Sequence, residues 1–311
     1  MTISIQPGPD KPRICVCICT YKRPRLLGEL LRTLDRQETG SIFDYAIVVV
    51  DNDRAESGRQ IAESEAVRSR TSIRYFVEPE QNIARARNKA IANAKGDFLA
   101  FIDDDELPEP RWLLQLYKAL TLFEIAGVLG PVLPSYEAPP PRWVLNGRFF
   151  ERPTYFSGYF LHWEHTRTGN CLLRREIFEG SGPWFLPKFG SGGEDRDFFK
   201  RMSARGHVFV WCKEAPLYEA VPPERWKKRI LIKRALLRGK MTYNSRKQKP
   251  WDVIGSAGAA FFFSITLPFL YVLSPVFGFD VFMKTLIRDC DHLGKVFALF
   301  GINFVKTKYV A

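Results

Sequence analysis

Three consecutive aspartates, Asp103, Asp104 and Asp105, follow the apolar run FLAFI and are the first residues whose types and spacing suit chemistry. Adjacent carboxylates repel one another unless a cation neutralises them, and hard divalent ions such as Mg²⁺ or Mn²⁺ prefer oxygen ligands. Because alternate residues of an extended chain point the same way, Asp103 and Asp105 are predicted to share such an ion. A merely solvated acidic loop is the alternative, and the buried strand expected before the aspartates favours the metal site.

A second acidic group, Glu194, Asp195 and Asp197, follows the glycine-rich stretch GSGG at 190–193. Glycines permit close backbone approach and unusual dihedral angles. A carboxylate in such a place is suited to take a proton from an attacking hydroxyl. The alternative makes Asp195 the N-cap of the amphipathic run that follows, and both roles are compatible because a helix N-terminus keeps a carboxylate ionised.

The elements that must position these residues alternate between strand and helix patterns. Strands are predicted at Arg13–Thr20, 45–50, 72–77 and 98–102, and helices at 23–37, 55–68, 83–94 with Asn82 as N-cap, and 109–123 with Pro110 at its start. This alternation is typical of a doubly wound α/β sheet, in which ligands bind beyond the C-terminal ends of the strands. Thr20, Tyr21, Asp51 and the three aspartates fall at such ends, so they are expected to converge on one crevice.

Four motifs occur in order: ICTYKRP at 18–24, VVVDN at 48–52, NIARARNKAIANAKGDFLAFIDDDE at 82–106 and GGEDRDFFKRMSARG at 192–206. Together they resemble a family 2 glycosyltransferase with the GT-A fold, over roughly residues 13–221. The resemblance implies an inverting, metal-dependent enzyme that moves a sugar from a nucleotide-sugar, expected to be a UDP-sugar. The implied acceptor is a hydroxyl of a glycolipid or polysaccharide.

The resemblance also implies a role for each matching residue. Thr20, Tyr21 and Asp51 would hold the nucleotide base, and Arg87 would contact the nucleotide. Asp103 and Asp104 would lie near the ribose and metal, and Asp105 would be the main ligand of Mg²⁺ or Mn²⁺. Asp195 would be the general base, and Glu194 would be the base instead or orient the acceptor. Thr168, Gly169 and Asn170 resemble a segment that lines the donor sugar. Trp163 and Trp184 are candidates for stacking on sugars, with core packing as the alternative. One departure is Glu219, where many family members carry a histidine.

The net charge of +12 is concentrated in one segment. Residues 225–249 contain eleven basic and no acidic residues, which leaves the rest close to neutral. A uniformly basic coat for nucleic acid is therefore excluded, and no nucleic-acid partner is expected. An uncharged stretch follows at 253–279, long enough for a bilayer span of about 20 residues. The basic segment is predicted to face the cytoplasmic leaflet of the cell membrane.

The path of 253–279 is open to several interpretations. It could cross the membrane once or bend at Pro268 and return, and the amphipathic pattern of 280–311 favours a shallow hairpin or interfacial helices. A soluble helical subdomain is the alternative. The predicted division is therefore a catalytic domain at 1–222, a basic amphipathic connector at 223–250 and a hydrophobic membrane-associated region at 251–311.

Two other functions compete with glycosyl transfer: a nucleotidyltransferase of the same fold class and a non-catalytic membrane adaptor.

The Pro- and aromatic-rich segment 135–163 is expected to be irregular and to form a wall or lid. Cys15, Cys17 and Cys19 alternate with aliphatic residues, which places their thiols on one strand face as small core residues. Residues 1–13 lack an apolar core segment, so no signal peptide is expected.

Overall fold

The computed structural model describes residues 11–180, 182–190, 192–245 and 250–302. The predictions made for residues 1–10, for Arg246, Lys247 and Lys249, and for 303–311 lie outside the described residues. Contacts divide the chain into two units, one of Met1–Leu133 with Arg152–Glu219 and one of Pro134–Glu151 with Ala220–Ala311. The functional division after residue 222 stays a prediction, because this grouping rests on contacts and not on function.

The first unit is built on a seven-stranded mixed sheet. The strands among the described residues are β1 (Arg13–Thr20), β2 (Asp44–Asp51), β3 (Ile73–Val77), β4 (Phe98–Asp103), β5 (Glu106–Pro108), β6 (Gly127–Leu129), β7 (Val132–Tyr136), β8 (Asn170–Arg174), β9 (Phe209–Trp211) and β10 (Leu217–Val221). The large sheet has the order β3-β2-β1-β4-β8-β6-β9, in which only β8 runs against its neighbours. This confirms the predicted α/β class with a mostly parallel sheet.

Helices cover both faces of this sheet. The helices among the described residues are α1 (Pro24–Leu34), α2 (Arg59–Arg68), α3 (Ile83–Asn93), α4 (Trp112–Phe123), α5 (Arg142–Gly147), α6 (Glu194–Ala204), α7 (Lys228–Ser245), α8 (Pro250–Val272), α9 (Ser274–Phe277) and α10 (Phe279–Leu299). Ile14, Val16 and Ile18 of β1 pack with α1, α2 and α4, whereas Cys15 and Cys17 pack with α3 and α6. The predicted alternation along β1 is therefore confirmed, and these thiols are free core residues.

Two helices begin later than the sequence patterns predict. Helix α2 starts at Arg59 and not at residue 55, because the Asp51 carboxylate accepts the Gly58 N–H at 2.7 Å and holds the preceding turn outside the helix. Helix α4 starts at Trp112 and not at residue 109, because the Pro110 carbonyl accepts the Glu38 N–H at 2.7 Å. The N-cap predicted for α3 is confirmed, since the Asn82 side chain accepts the Arg85 N–H.

The second unit contains order where the sequence predicts irregular structure. Helix α5 lies inside the Pro- and aromatic-rich segment, because its Val144 is buried against Val221 and Trp226. Helix α10 packs against both α7 and α8. The α7–α10 crossing is close: a Cβ atom added at Gly294 would lie 2.3 Å from the Leu236 carbonyl oxygen.

Helix α8 buries only a narrow stripe of its surface. Val253, Ser256 and Ala260 are buried, while most of its large apolar side chains are exposed. Of the two paths considered for this stretch, the structure shows no break of the helix at Pro268, because this proline lies inside α8, and the helix ends at Val272 before α9. Trp251–Val272 has a mean hydropathy of 1.8 and is long and apolar enough to cross a membrane, as judged by length and composition.

Candidate active site

The candidate site lies where the strand order of the sheet reverses, at the C-terminal ends of β1 and β4. Strands β2 and β3 extend from one side of β1, and β4 lies on its other side. Such a switch point opens a crevice that binds ligands in doubly wound sheets. Thr20 ends β1, and its hydroxyl donates a 2.7 Å hydrogen bond to Asp104 just beyond β4. The two predicted groups therefore meet, as the strand pattern indicates.

Arg23 holds two of the three aspartates. One nitrogen of its guanidinium group lies 2.8 Å from Asp104 and 3.2 Å from Asp105. Burial raises the pKa of Asp104, and Arg23 opposes that shift. Burial also raises the pKa of Asp105 to about 6, with Arg23 opposing and Asp103 adding to the shift. Negative charge at this strand end thus exceeds what Arg23 compensates, so the donor set suits a further cation.

Asp103 has a different arginine partner. Its carboxylate lies 3.4 Å from the Arg87 guanidinium, and its side chain is 43% exposed. No three His, Cys, Asp or Glu side chains of the described residues form a ready-made metal site. A magnesium ion commonly takes only one or two carboxylates and keeps substrate phosphates or water as its other ligands. Asp103 and Asp105 therefore fit a hard divalent ion that binds together with a substrate, and their sharing of one ion stays a prediction.

Arg87 connects the two acidic groups. This arginine of α3 is buried and forms an ion pair with Glu194 at the start of α6, as well as its contact with Asp103. Burial opposes the charge of Arg87, but Glu194 and Asp103 outweigh it and raise the arginine pKa. Burial raises the pKa of Glu194 to about 7, with Arg87 opposing. The pair brings α6 to the strand ends, so the two acidic motifs form one site.

Asp195 is the accessible member of the second acidic group. Helix α6 begins at Glu194 with Gly193 as N-cap at φ 89°, so the interpretation of Asp195 as N-cap is wrong. Asp195 lies in the first turn, is half-exposed and accepts the Arg196 N–H at 2.7 Å. Glu194 is buried against Arg87 and Asp197 pairs with Arg201, so Asp195 is the best candidate of the three for contact with a substrate.

Asp51 is engaged within the protein. It is fully buried and accepts hydrogen bonds from the Asp53 and Gly58 N–H groups and from the Tyr75 hydroxyl, at 2.9, 2.7 and 2.8 Å. Because Asp51 has no exposed surface, its contact with a nucleotide base requires the residues that cover it to move, and that role stays a prediction. Tyr21 is half-exposed, and the Lys22 ammonium lies 5.2 Å from the centre of its ring.

Arg152 and Glu106 are site residues that the motifs do not single out. Arg152 forms an ion pair with Glu219 and lies 3.8 Å from Glu106. Glu106 is buried and accepts the Asp103 N–H at 3.1 Å. Glu219 thus adds no uncompensated charge, because Arg152 neutralises it. Glu106 adjoins the aspartate run and was discoverable there, whereas Arg152 lies in a segment without a recognisable pattern.

Of the residues predicted to line the donor sugar, some lie inside the fold and others border the candidate site. Asn170 is used inside the fold, since its side chain donates to two backbone carbonyls and accepts the Trp112 indole N–H at 2.8 Å. Gly169 does border the site, because a Cβ added there would lie 3.3 Å from Asp103. Trp163 faces Lys200 of α6 at 5.1 Å, and Trp184 packs against Phe178. Stacking of either tryptophan on a sugar stays a prediction.

This sheet, with carboxylates gathered at its switch point, defines a GT-A glycosyltransferase fold. Comparison with known proteins agrees. Residues 15–182 match the model of glycosyl transferase family 2. The chain is 37% identical over 231 residues to succinoglycan biosynthesis protein ExoM of Rhizobium meliloti, covering 73% of this chain and 72% of that protein. It therefore belongs to glycosyltransferase family 2 and is a transferase.

More distant proteins share parts of the chain or its fold. Chondroitin synthase of Escherichia coli is 27% identical over 244 residues, which cover 68% of this chain and 35% of that enzyme. The mannosyltransferase PcManGT of Pyrobaculum calidifontis superposes with a TM-score of 0.59 at 19% identity, covering 94% and 90% of the two chains. S. aureus TarS superposes with a TM-score of 0.53 at 15% identity, covering 94% and 93%. These two structures support the fold assignment.

Proposed function

We propose that the chain transfers a sugar from a UDP-sugar to a hydroxyl of a glycolipid or polysaccharide acceptor, with inversion at the anomeric carbon. The observation that supports the proposal is the Arg87 bridge between Asp103 and Glu194, the residue that precedes half-exposed Asp195. A site of this kind can hold a diphosphate and a proton acceptor together. Family membership favours glycosyl transfer over a nucleotidyltransferase or a non-catalytic adaptor.

The proposed chemistry is a single displacement. Asp195 takes the proton from the acceptor hydroxyl, whose oxygen bonds to the anomeric carbon while the bond to the nucleoside diphosphate breaks. Attack from the face opposite the leaving group inverts the anomeric centre. Glu194 does not act as the base in this proposal, because its buried pair with Arg87 holds α6 and Asp103 in place.

A divalent ion completes the proposed site. Asp103 and Asp105 would hold Mg²⁺ or Mn²⁺, which when bound supplies positive charge to the leaving diphosphate. The raised pKa of Asp105 and the partial exposure of Asp103 support this assignment. Arg23 restrains Asp104 and Asp105 from the side of β1, so the carboxylates are positioned before a substrate binds.

The donor and acceptor classes are supported by the relatives. ExoM is named for succinoglycan biosynthesis, and chondroitin synthase is likewise named for a polysaccharide. TarS has been solved with UDP and PcManGT with GDP-Man and Mn²⁺. UDP is proposed as the nucleotide of this chain because the resemblance implies it, and GDP-mannose is the comparison that tests it.

The second unit is proposed to associate with the cytoplasmic face of the cell membrane. Exposed apolar residues of α8, including Phe261, Phe262 and Phe269, form a surface that water solvates poorly. The basic segment, whose described part includes α7, is suited to anionic lipid headgroups. Nucleotide-sugars are made in the cytoplasm, so this face also gives access to the donor.

The test measures nucleotide release from a panel of UDP-sugars and GDP-mannose by the purified full chain. We expect one UDP-sugar to be turned over, activity to stop in EDTA, and Mg²⁺ or Mn²⁺ to restore it. The anomeric configuration of the product, determined by NMR spectroscopy, should be opposite to that of the donor. Full activity in EDTA contradicts the metal assignment, and absence of release from every donor contradicts the proposed function.

A further inference from the structure

The first unit contains a cavity that none of the predicted site residues lines. Its volume is about 140 Å³. Its side-chain walls are supplied chiefly by Arg152, Tyr155, Glu164, His165, Arg167 and Trp211. Such a volume is comparable to that of one sugar ring. Aromatic walls with a few polar groups are typical of small-molecule sites.

The aromatic wall is fixed by its own packing. The Tyr155 ring lies 5.4 Å from His165 in a stacked arrangement and meets Trp211 edge-to-face at 5.3 Å. The backbone N–H of Gly158 donates to the Trp211 carbonyl at 2.8 Å, which ties the aromatic segment to the end of β9. Rigid aromatic side chains offer an apolar surface that complements the C–H face of a pyranose.

One wall of the cavity carries a polar group without a partner. Trp211 is only 5% exposed, and its indole N–H has no hydrogen-bond acceptor among the described residues. Buried donors in native proteins are nearly always satisfied, and leaving one unsatisfied is unfavourable. An oxygen atom of a ligand in the cavity would satisfy this donor.

The charges around the cavity balance. Arg152 is neutralised by Glu219, and Glu164 lies in the same wall as Arg167. Arg167 is solvent-exposed and forms no hydrogen bond or ion pair within the described ranges. Its guanidinium group is free to donate to hydroxyls. A near-neutral wall rich in donors suits a polyhydroxylated ligand better than an anion.

One residue of the cavity wall interacts with charges of the candidate active site. Arg167 interacts electrostatically with Asp195, Glu106 and Glu219. It precedes Thr168 and Gly169, and Gly169 borders Asp103. A ligand beside Arg167 would therefore contact a residue that interacts with the proposed proton acceptor.

We propose that this cavity binds one uncharged sugar ring of the acceptor, held by hydrogen bonds from the Trp211 indole N–H and the Arg167 guanidinium. Trp211 and Arg167 thereby determine acceptor specificity. The inference rests on the proposed function, since it names the acceptor class of that site. Trp163 and Trp184, the tryptophans that the sequence suggests for sugar stacking, do not line this cavity. The proposed contact with the acceptor sugar therefore uses other aromatic residues.

The test uses p-nitrophenyl β-D-glucopyranoside and β-D-galactopyranoside as neutral probes and p-nitrophenyl β-D-glucuronide as the acidic one. Binding to the full chain is measured by saturation-transfer NMR spectroscopy with UDP and Mg²⁺ present. We expect at least one neutral probe to bind better than the acidic probe. Trp211→Phe keeps an aromatic ring but removes the donor, and should weaken binding about three- to tenfold, as should Arg167→Gln.

A matched control and the UDP affinity separate the outcomes. Arg205→Gln changes an exposed arginine outside the cavity and should bind the probes as the unchanged chain does. Tighter binding of the glucuronide, or no binding of either neutral probe, overturns the inference. Loss of UDP affinity together with probe affinity in Trp211→Phe also overturns it, because the cavity would then serve the donor. A chain that binds UDP and releases it from a nucleotide-sugar, yet binds no probe, overturns the inference while sparing the proposed function.

Discussion

The two units of the molecule treat charge and apolar surface in opposite ways. In the first unit, buried carboxylates at a strand end and at the start of α6 pair with arginines from other elements, as in the pairs of Arg23 with Asp104 and Arg87 with Glu194. In the second unit, apolar side chains such as Phe262, which is 64% exposed, face outward. Charge pairs therefore fix side chains of the candidate site in the first unit, whereas the second unit leaves large apolar side chains exposed.

The same comparison explains where the net charge of +12 resides. The basic segment at 225–249 falls in the second unit, and its described members are mostly exposed or half-exposed. Arg238 forms a two-pronged ion pair with Asp291 at 2.8 and 2.6 Å, in which the arginine stays largely exposed. The excess charge is thus surface charge suited to external partners.

The sharpest test of the first unit is Asp195→Asn. Loss of the proton acceptor should lower kcat by about 10²- to 10⁴-fold, because that is the usual contribution of a general base. The half-exposed position predicts little change in Tm. Asp197→Asn is the matched control, since Asp197 lies on the same turn and pairs with Arg201 at 2.8 Å. Equal activity losses in both variants would contradict the assignment of Asp195 as the base.

Arg87→Met tests whether the buried charge pairs hold the first unit together. Removing Arg87 leaves the buried carboxylate of Glu194 uncompensated, which should lower the free energy of unfolding by about 3–5 kcal/mol. Arg85→Met is the control, because Arg85 is exposed and pairs with Glu80 at 3.0 Å, a contact worth about 0–1 kcal/mol. Denaturant titration measures both.

A second substitution shows whether the loss comes from the charge. Glu194→Gln in the Arg87→Met background should recover part of the stability, since it removes the buried carboxylate. If Arg87→Met and Arg85→Met were equally stable, the contrast between buried and exposed charge would fail.

The sequence reveals those parts of the fold that depend on periodic patterns. The alternation of Cys15 and Cys17 with Val16 suffices to predict both faces of β1, because side-chain direction has a strict period of two. Helix starts were less predictable. Helix α4 begins only after Pro110, whose carbonyl accepts the Glu38 N–H, and Glu38 is distant in sequence.

Site prediction had the same limit. The acidic groups adjoin glycines or strand ends and were recognisable from the chain. The ion pair that distinguishes the role of Glu194 from that of Asp195 could not be recognised, because Arg87 lies more than a hundred residues from α6 in sequence. Arg152 likewise approaches Glu219 only through the fold.

Phe262→Ser tests whether the outward apolar face of the second unit is a membrane surface. Burying a phenylalanine in an apolar phase is worth about 1.5–3 kcal/mol, so binding to phosphatidylglycerol-containing vesicles should weaken about tenfold or more. Stability should change little, because the side chain is already exposed. Phe123→Ser is the control in the first unit, where Phe123 is 37% exposed, and vesicle flotation should not change. Equal flotation of both variants would contradict the membrane role of α8.

Gly294→Ala tests what holds the second unit together if charge pairs do not. The added Cβ would lie 2.3 Å from the Leu236 carbonyl oxygen, so α7 and α10 must separate, with an expected loss of about 1–3 kcal/mol. Gly258→Ala in α8 makes the same chemical change with no atom within 4 Å, and helix propensity should stabilise it by up to about 1 kcal/mol. Denaturant titration should therefore give opposite signs for the two variants, and the same sign would show that close packing of α7 on α10 does not stabilise this unit.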